Sequence, residues 1–513
     1  MTDTHAECRL DGLLLDDVVA VARHGARVRV EDHVMERVAQ GRRVVERLAG
    51  SERPVYGIST GFGALATVSI PPDRRAALQV SLIRSHAAGT GDTVPAEVVR
   101  AMMLLRLKTL SSGSCGVRPV LVETLTDMLN AGVVPAVREY GSLGCSGDLA
   151  PLSHVALAAM GQGWVLSAEG PRPSADALDA AGIAPIVLQE KEGLALINGT
   201  DGMLGMLVLA LADLDHLVRV ADVTTAMTVE ALLGTDRVFA PELADLRPHP
   251  GQAASAANLR RLLADSPIMA SHRDDMEHLV QDAYSLRCAP QVTGGVRDTM
   301  DHARLVAQRE LASTIDNPVI LPDGRVESNG NFHGAPVAYA LDFLAVVVAD
   351  LASIAERRTD RMLDRGRSQG LPAFLAHETG VDSGYMIAQY ASAGIVSTLK
   401  RLATPASVDS IPSSAMQEDH VSMGWAAALK LRAAVDGLRR VLAIELLVAG
   451  RALDLRRPLL PARGTAAAVA ALRESVAGPG PDPVVSEQIE RVVGLVGSGR
   501  ILSAVEQAIG TLQ

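Results

Sequence analysis

The chain has 513 residues, 48% of them hydrophobic and 21% charged, with a formal net charge of -11 at pH 7. That length can bury a large apolar core and suggests roughly three domains. The acid excess repels phosphates and, with no basic run interleaved with aromatics, excludes nucleic acid as a partner. Cys8, Cys115, Cys145 and Cys288 match no CxxC motif, and residues 1–15 carry acids and no long apolar run, so a cytoplasmic protein with free thiols is expected.

Apolar residues recur mainly at three- and four-residue spacing, which predicts a mainly all-α chain with few, short strands. The first strand is expected at residues 27–30. Tyr56-Gly57-Ile58-Ser59-Thr60-Gly61-Phe62-Gly63 follows, a glycine-rich loop with a phenol at its start. Next, Ser85-His86 stands at the end of an apolar helix, and residues 94–110 fit an amphipathic helix.

Gly141-Ser142-Leu143-Gly144-Cys145-Ser146-Gly147-Asp148-Leu149-Ala150-Pro151 comes next. Read plainly, it is a glycine-rich turn before a helix, with Asp148 near the N-cap and Pro151 in the first turn. Gly147 has no Cβ, so its nitrogen can approach the Cys145 carbonyl. Attack there closes a five-membered ring, and loss of two waters leaves an imidazolone whose exposed methylidene carbon derives from Ser146. No ordinary side chain supplies such an electrophile.

A further strand is expected at residues 185–188. Asn198-Gly199-Thr200 then opens a helix over 201–233 that is apolar nearly all round, as in the centre of a bundle. In Gln281-Asp282-Ala283-Tyr284-Ser285-Leu286-Arg287-Cys288, helical spacing predicts an amide, a phenol and a guanidinium on one face. Such an arginine matches a carboxylate through two parallel hydrogen bonds. A short strand is expected at 318–321, then the turn Ser328-Asn329-Gly330-Asn331-Phe332-His333-Gly334. Helices are predicted at 335–358, 383–402 and 420–449, the last preceded by Ser414-Ala415-Met416-Gln417-Glu418-Asp419-His420.

Residues 337–355 are the best membrane candidate, but Asp342 and Asp350 interrupt them, so a buried core helix and no membrane partner are expected. His272-Arg273-Asp274-Asp275-Met276-Glu277-His278 has ligand-type residues without a familiar spacing, so a solvated loop and no metal are expected. The chain divides provisionally into an N-terminal region, 1–200, and a long-helix bundle, 201–513.

Taken in order, these motifs resemble the aromatic amino acid lyase and aminomutase family, over about residues 55–423. That family carries a methylidene-imidazolone group (MIO), usually made from Ala-Ser-Gly. The resemblance implies an MIO formed from Cys145, Ser146 and Gly147, with Cys145 in place of the alanine and no external cofactor. It implies a helical homotetramer with active sites built from three subunits, acting on a small amino acid. Tyr56 is then the general base, and Tyr284 stands near the ring. Asn198 and Arg287 hold the substrate carboxylate. Gln281, Phe332 and Gln417 line the pocket, and Glu418 meets the substrate side chain.

The Ser85-His86 pair resembles histidine-specific members, with His86 on the substrate ring, so deamination of L-histidine to trans-urocanate is the expected activity. Many family members have asparagine at the position of Met416, so contacts made by that asparagine do not transfer. A histidine 2,3-aminomutase on the same scaffold is the alternative. A metal-dependent hydrolase or a non-catalytic helical scaffold are readings from other classes.

Overall fold

A computed structural model describes residues 7–50, 55, 57–61, 67–273 and 280–513. It is mainly helical, and its described strands form four two-stranded sheets. The chain folds as two compact units, Met1–Leu209 with Ala303–Asp342 and Pro405–Leu429, and Ala210–His302 with Phe343–Thr404 and Lys430–Gln513.

In the first unit, Glu7–Arg9 pairs in parallel with Arg27–Arg29, and Thr90–Thr93 pairs antiparallel with Arg138–Tyr140. The predicted helix at 94–110 begins two residues later, as Ala96–Leu110. Val94 donates its N–H to Val137 O, and Pro95 at ψ 145° is extended, so the helix cannot start sooner. Leu149–Ala159 packs against Arg75–His86 and Glu192–Ile197. Residues 185–188 form no strand. Pro185 lacks an N–H for a ladder, and Ile186 N–H ties to Ala159 O instead.

The long central helix runs over Asp201–Ala231. Its first turns, Met203 to Leu209, are buried in the first unit. In the second unit, Arg463–Arg473 packs on Arg500–Ile509. There the fully buried Arg358 binds Glu445, with Nε–Oε1 at 2.5 Å and Nη2–Oε2 at 3.0 Å. Thr224 Oγ1 donates to the same carboxylate at 2.8 Å. Partners on several sides are what make a buried charge tolerable. The expected apolar helix is Ala335–Leu363, whose most apolar stretch has mean hydropathy 2.0 and is 61% buried. It is the one described helix long and apolar enough to cross a membrane. Its Asp342 is buried and accepts the Ser407 N–H at 2.8 Å.

Candidate active site

The Cys145-Ser146-Gly147 turn is folded back on itself. Gly147 has φ 79° and Gly144 φ 70°, the left-handed region that favours glycine. Bridges join Gly144 and Cys145 to Gly147, and Gly147 to Gly199. A Cβ on Gly147 would lie 2.1 Å from Gly199 O, so backbone alone fits there. The next residue locks the turn. Asp148 N–H donates to Gly199 O at 2.7 Å, and its Oδ2 accepts Met203 N–H at 2.9 Å. Ser142 Oγ donates to Oδ1 at 3.3 Å. Asp148 is fully buried, and that burial pushes its carboxyl up to about 7. The turn is thus pinned between the N-termini of the helices Leu149–Ala159 and Asp201–Ala231.

Cys145 and Ser146 open onto a cavity of about 690 Å³, whose other lining residues include Asn317, Phe332, Gln417 and Glu418. The segment carrying Glu418 is tied to the turn. Ser422 Oγ donates to Gly144 O at 3.2 Å, and Met423 N–H to Leu143 O at 2.9 Å. Ser413 Oγ donates to Glu418 Oε2 at 2.8 Å. Burial, and next the Glu418 carboxylate, push the Cys145 thiol up to about 12.

Asn198 lies between the helices Glu192–Ile197 and Asp201–Ala231. Its Nδ2 donates to Asn317 O at 3.0 Å, while its buried Oδ1 has no hydrogen-bond partner. The buried Arg106 holds the backbone there. Its Nη1 donates to Asn198 O at 2.9 Å, and its Nη2 stands 2.8 Å from Asp201 Oδ2. Asn317 is braced in turn, its Oδ1 accepting from Ser328 Oγ and Asn329 N–H, each at 3.0 Å. Beside it Lys191 and Asp316 make a fully buried ion pair at 2.5 Å.

His86 closes the helix Arg75–His86. Its Nδ1 lies 2.9 Å from Leu82 O. A carbonyl only accepts, so Nδ1 carries the proton and Nε2 is the free nitrogen. Burial lowers the pKa of this imidazole, while the nearby Glu418 carboxylate pulls it upward. The neutral ring therefore offers an acceptor.

Gln281, Tyr284 and Arg287 belong to the second unit. The helix expected to unite them is a single turn, Tyr284–Arg287, and Gln281 precedes it. Asp282 is the cause. Its buried carboxylate accepts Thr235 N–H at 2.7 Å, and Ala283 at ψ 154° is extended. Tyr284 and Arg287 do meet, with the guanidinium 4.6 Å from the ring centroid. Arg287 Nε donates to Asp282 O at 3.0 Å.

Tyr56 and Phe62 lie outside the described residues, as do residues 274–278 of the ligand-rich segment. Of its remainder, His272 meets Gly234 O at 2.8 Å and Arg273 pairs with Asp236. Sequence reasoning missed Asn317, Ser413 and Arg106. Asn317 and Ser413 carry no periodic signal, and Arg106 reads as one charge on an amphipathic helix. A charge inside the otherwise apolar run Met102 to Leu107 was the available clue for Arg106.

The family model for aromatic amino acid lyases matches residues 13–474. Histidine ammonia-lyases from Streptomyces coelicolor and Streptomyces griseus are each 62% identical, over 98% of this chain and 98% of their own. The crystal structure of tyrosine aminomutase from Streptomyces globisporus superposes with a TM-score of 0.94 at 36% identity, covering 99% of this chain and 100% of its own. That of histidine ammonia-lyase from Trypanosoma cruzi gives 0.90 at 38% identity, covering 98% and 96%. With a family match across most of its length and relatives aligned nearly end to end, the chain belongs to the aromatic amino acid lyase family.

Proposed function

We propose that this protein eliminates ammonia from L-histidine to give trans-urocanate. The observation that carries the reading is one cavity in which the Cys145-Ser146 turn faces the Glu418 carboxylate, with His86 within its electrostatic reach. The two Streptomyces relatives support it.

The turn suits the family's MIO group. The Cys145 and Gly147 backbones are already bridged, Gly147 leaves no space for a side chain, and Ser146 lines the cavity. Formed from these three residues, the group supplies an electrophile for the substrate amine. The remaining work falls to ordinary side chains. Arg287 takes the substrate carboxylate through its guanidinium fork, with Asn198 as its second contact. The Tyr56 phenol oxygen accepts the β-proton. Tyr284, Gln281, Phe332 and Gln417 shape the pocket around the substrate.

His86 Nε2 and the Glu418 carboxylate present two acceptors to the substrate ring. A neutral imidazole satisfies one of them with its single N–H, an imidazolium satisfies both, and a phenyl ring satisfies neither. Holding all groups at once converts binding energy into orientation. We also propose a homotetramer. Tyr339, Phe343 and Val346, on successive turns of Ala335–Leu363, are 45%, 51% and 47% exposed, an apolar stripe of the kind an interface covers.

The test is incubation of the purified protein with L-histidine while urocanate absorbance is followed, with products separated by chromatography. Urocanate and ammonia in equal amounts are expected. β-Histidine as the main product would instead identify an aminomutase, an outcome the scaffold shared with tyrosine aminomutase allows.

A further inference from the structure

Glu418 reaches the cavity from an unusual turn. Ser414, Ala415 and Met416 are consecutive non-glycine residues at φ 49°, 53° and 69°. L-residues adopt this left-handed conformation at a cost, and it persists only where the surroundings over-determine it. Here three hydrogen bonds do so. Ser413 N–H donates to Glu418 O at 2.9 Å, and Glu418 N–H to Ser413 O at 3.3 Å. The third is the bond from Ser413 Oγ to Glu418 Oε2, at 2.8 Å.

These bonds divide the labour. The two backbone bonds close the turn whatever side chain stands at 413. The hydroxyl bond acts on the glutamate side chain alone. It occupies Oε2 and removes the rotational freedom of a long side chain on a largely exposed turn. The carboxylate is thereby held toward the cavity lined by Cys145 and Ser146, a lining from which Ser413 is absent. That the Cys145 thiol is pushed up partly by this carboxylate fits the same orientation.

We propose that Ser413 is a positioning residue for substrate-ring recognition: its hydroxyl fixes the Glu418 carboxylate in the orientation that meets the imidazole. This role rests on the functional reading above. A hydrogen bond to a carboxylate is stronger than one between neutral groups. Its loss should therefore be felt by a ligand whose ring uses Glu418, and not by one whose ring does not.

The probes are urocanate and cinnamate, which share the acrylate carboxylate and differ in carrying imidazole or phenyl. Their affinities for the full-length enzyme are measured by calorimetry in wild type, Ser413→Ala and Ser413→Thr, beside kcat and KM for L-histidine. Ser413→Ala should weaken urocanate about 10- to 100-fold and leave cinnamate unchanged, with the thermal midpoint preserved. Ser413→Thr, which keeps the hydroxyl, should restore most of the urocanate affinity. An equal loss of both ligands would mean that Ser413 merely supports the loop, and would overturn the proposal. Unchanged urocanate affinity in Ser413→Ala would overturn it too, leaving the functional reading standing if wild type makes urocanate. A wild type that makes none would remove both.

Discussion

Replacing Asp148 by asparagine should stabilise the protein, and more so at higher pH. The folded carboxyl keeps its proton up to about pH 7, against a reference of 3.8, because burial outweighs the hydrogen bonds it accepts. A group raised in the folded state contributes stability that is complete below about pH 4 and is lost as pH climbs to about 7. At about 1.4 kcal/mol per pH unit, the raised carboxyl costs on the order of 4 kcal/mol at pH 8, where it must ionise while buried, and about 2 kcal/mol at pH 5, where it holds a proton that the unfolded chain has released. Asparagine avoids that cost and keeps the geometry. Its carbonyl oxygen can accept the Met203 N–H as Oδ2 does now. Its amide faces Ser142 Oγ, a hydroxyl that accepts as readily as it donates. Thermal midpoints of wild type and Asp148→Asn are compared at pH 5 and pH 8. With a change on the order of 2 °C per kcal/mol for a unit of this size, the variant should gain about 8 °C at pH 8 and about half of that at pH 5. A variant less stable at pH 8, or a gain that does not grow between the two pH values, would refute the reasoning.

Other expectations follow from the site. Wild-type peptide mass spectrometry should find the Cys145-Ser146-Gly147 segment two water masses light. Ser146→Ala should keep full mass there and lose nearly all activity with its helical circular dichroism intact, whereas full mass in active wild type would contradict the ring. Tyr56→Phe should bind L-histidine normally but turn it over ~10²–10⁴-fold more slowly; near-normal kcat would pass the base role to Tyr284. His86→Phe and Glu418→Gln should each lower kcat/KM for L-histidine and narrow its lead over L-phenylalanine, since an acceptor left unpaired when a phenyl ring covers it costs roughly 1–3 kcal/mol. Steady-state kinetics on both amino acids decide it, and wild-type selectivity in both variants would dismantle the ring-pocket assignment.

Helices were the most legible part of the sequence because periodicity repeats over many residues. Asp201–Ala231 and Ala335–Leu363 were visible as long apolar runs. Boundaries were less so, since they turn on single bonds. The Val94 N–H to Val137 O delays one helix start, and the Thr235 bond to Asp282 keeps Gln281 out of another. At the site, Gly147 was readable as a position that needs a bare backbone. That its forbidden Cβ would strike Gly199, 52 residues further on, was not. Such contacts join residues with no spacing rule, as do Asn198 with Asn317 and Ser422 with Gly144. Ser413 was hidden for a related reason: a serine before a polar turn is common, and only the left-handed backbone beyond it shows which atom its hydroxyl reaches.

The cysteine in the Cys145-Ser146-Gly147 turn has a consequence for chemical durability. Thiols react with alkylating agents, peroxide and disulfides as thiolates. A thiol titrating at about 12 is ionised at pH 7 to only about one part in 10⁵. Cys8 is pushed equally high by its burial, to about 12, and the fully buried Cys115 is also driven upward. A sulfur at the edge of a turn proposed to form an electrophile would otherwise be that turn's weakest point toward oxidants. Half-buried beside a carboxylate, the thiol keeps its proton and can occupy an alanine's place without bringing a nucleophile with it.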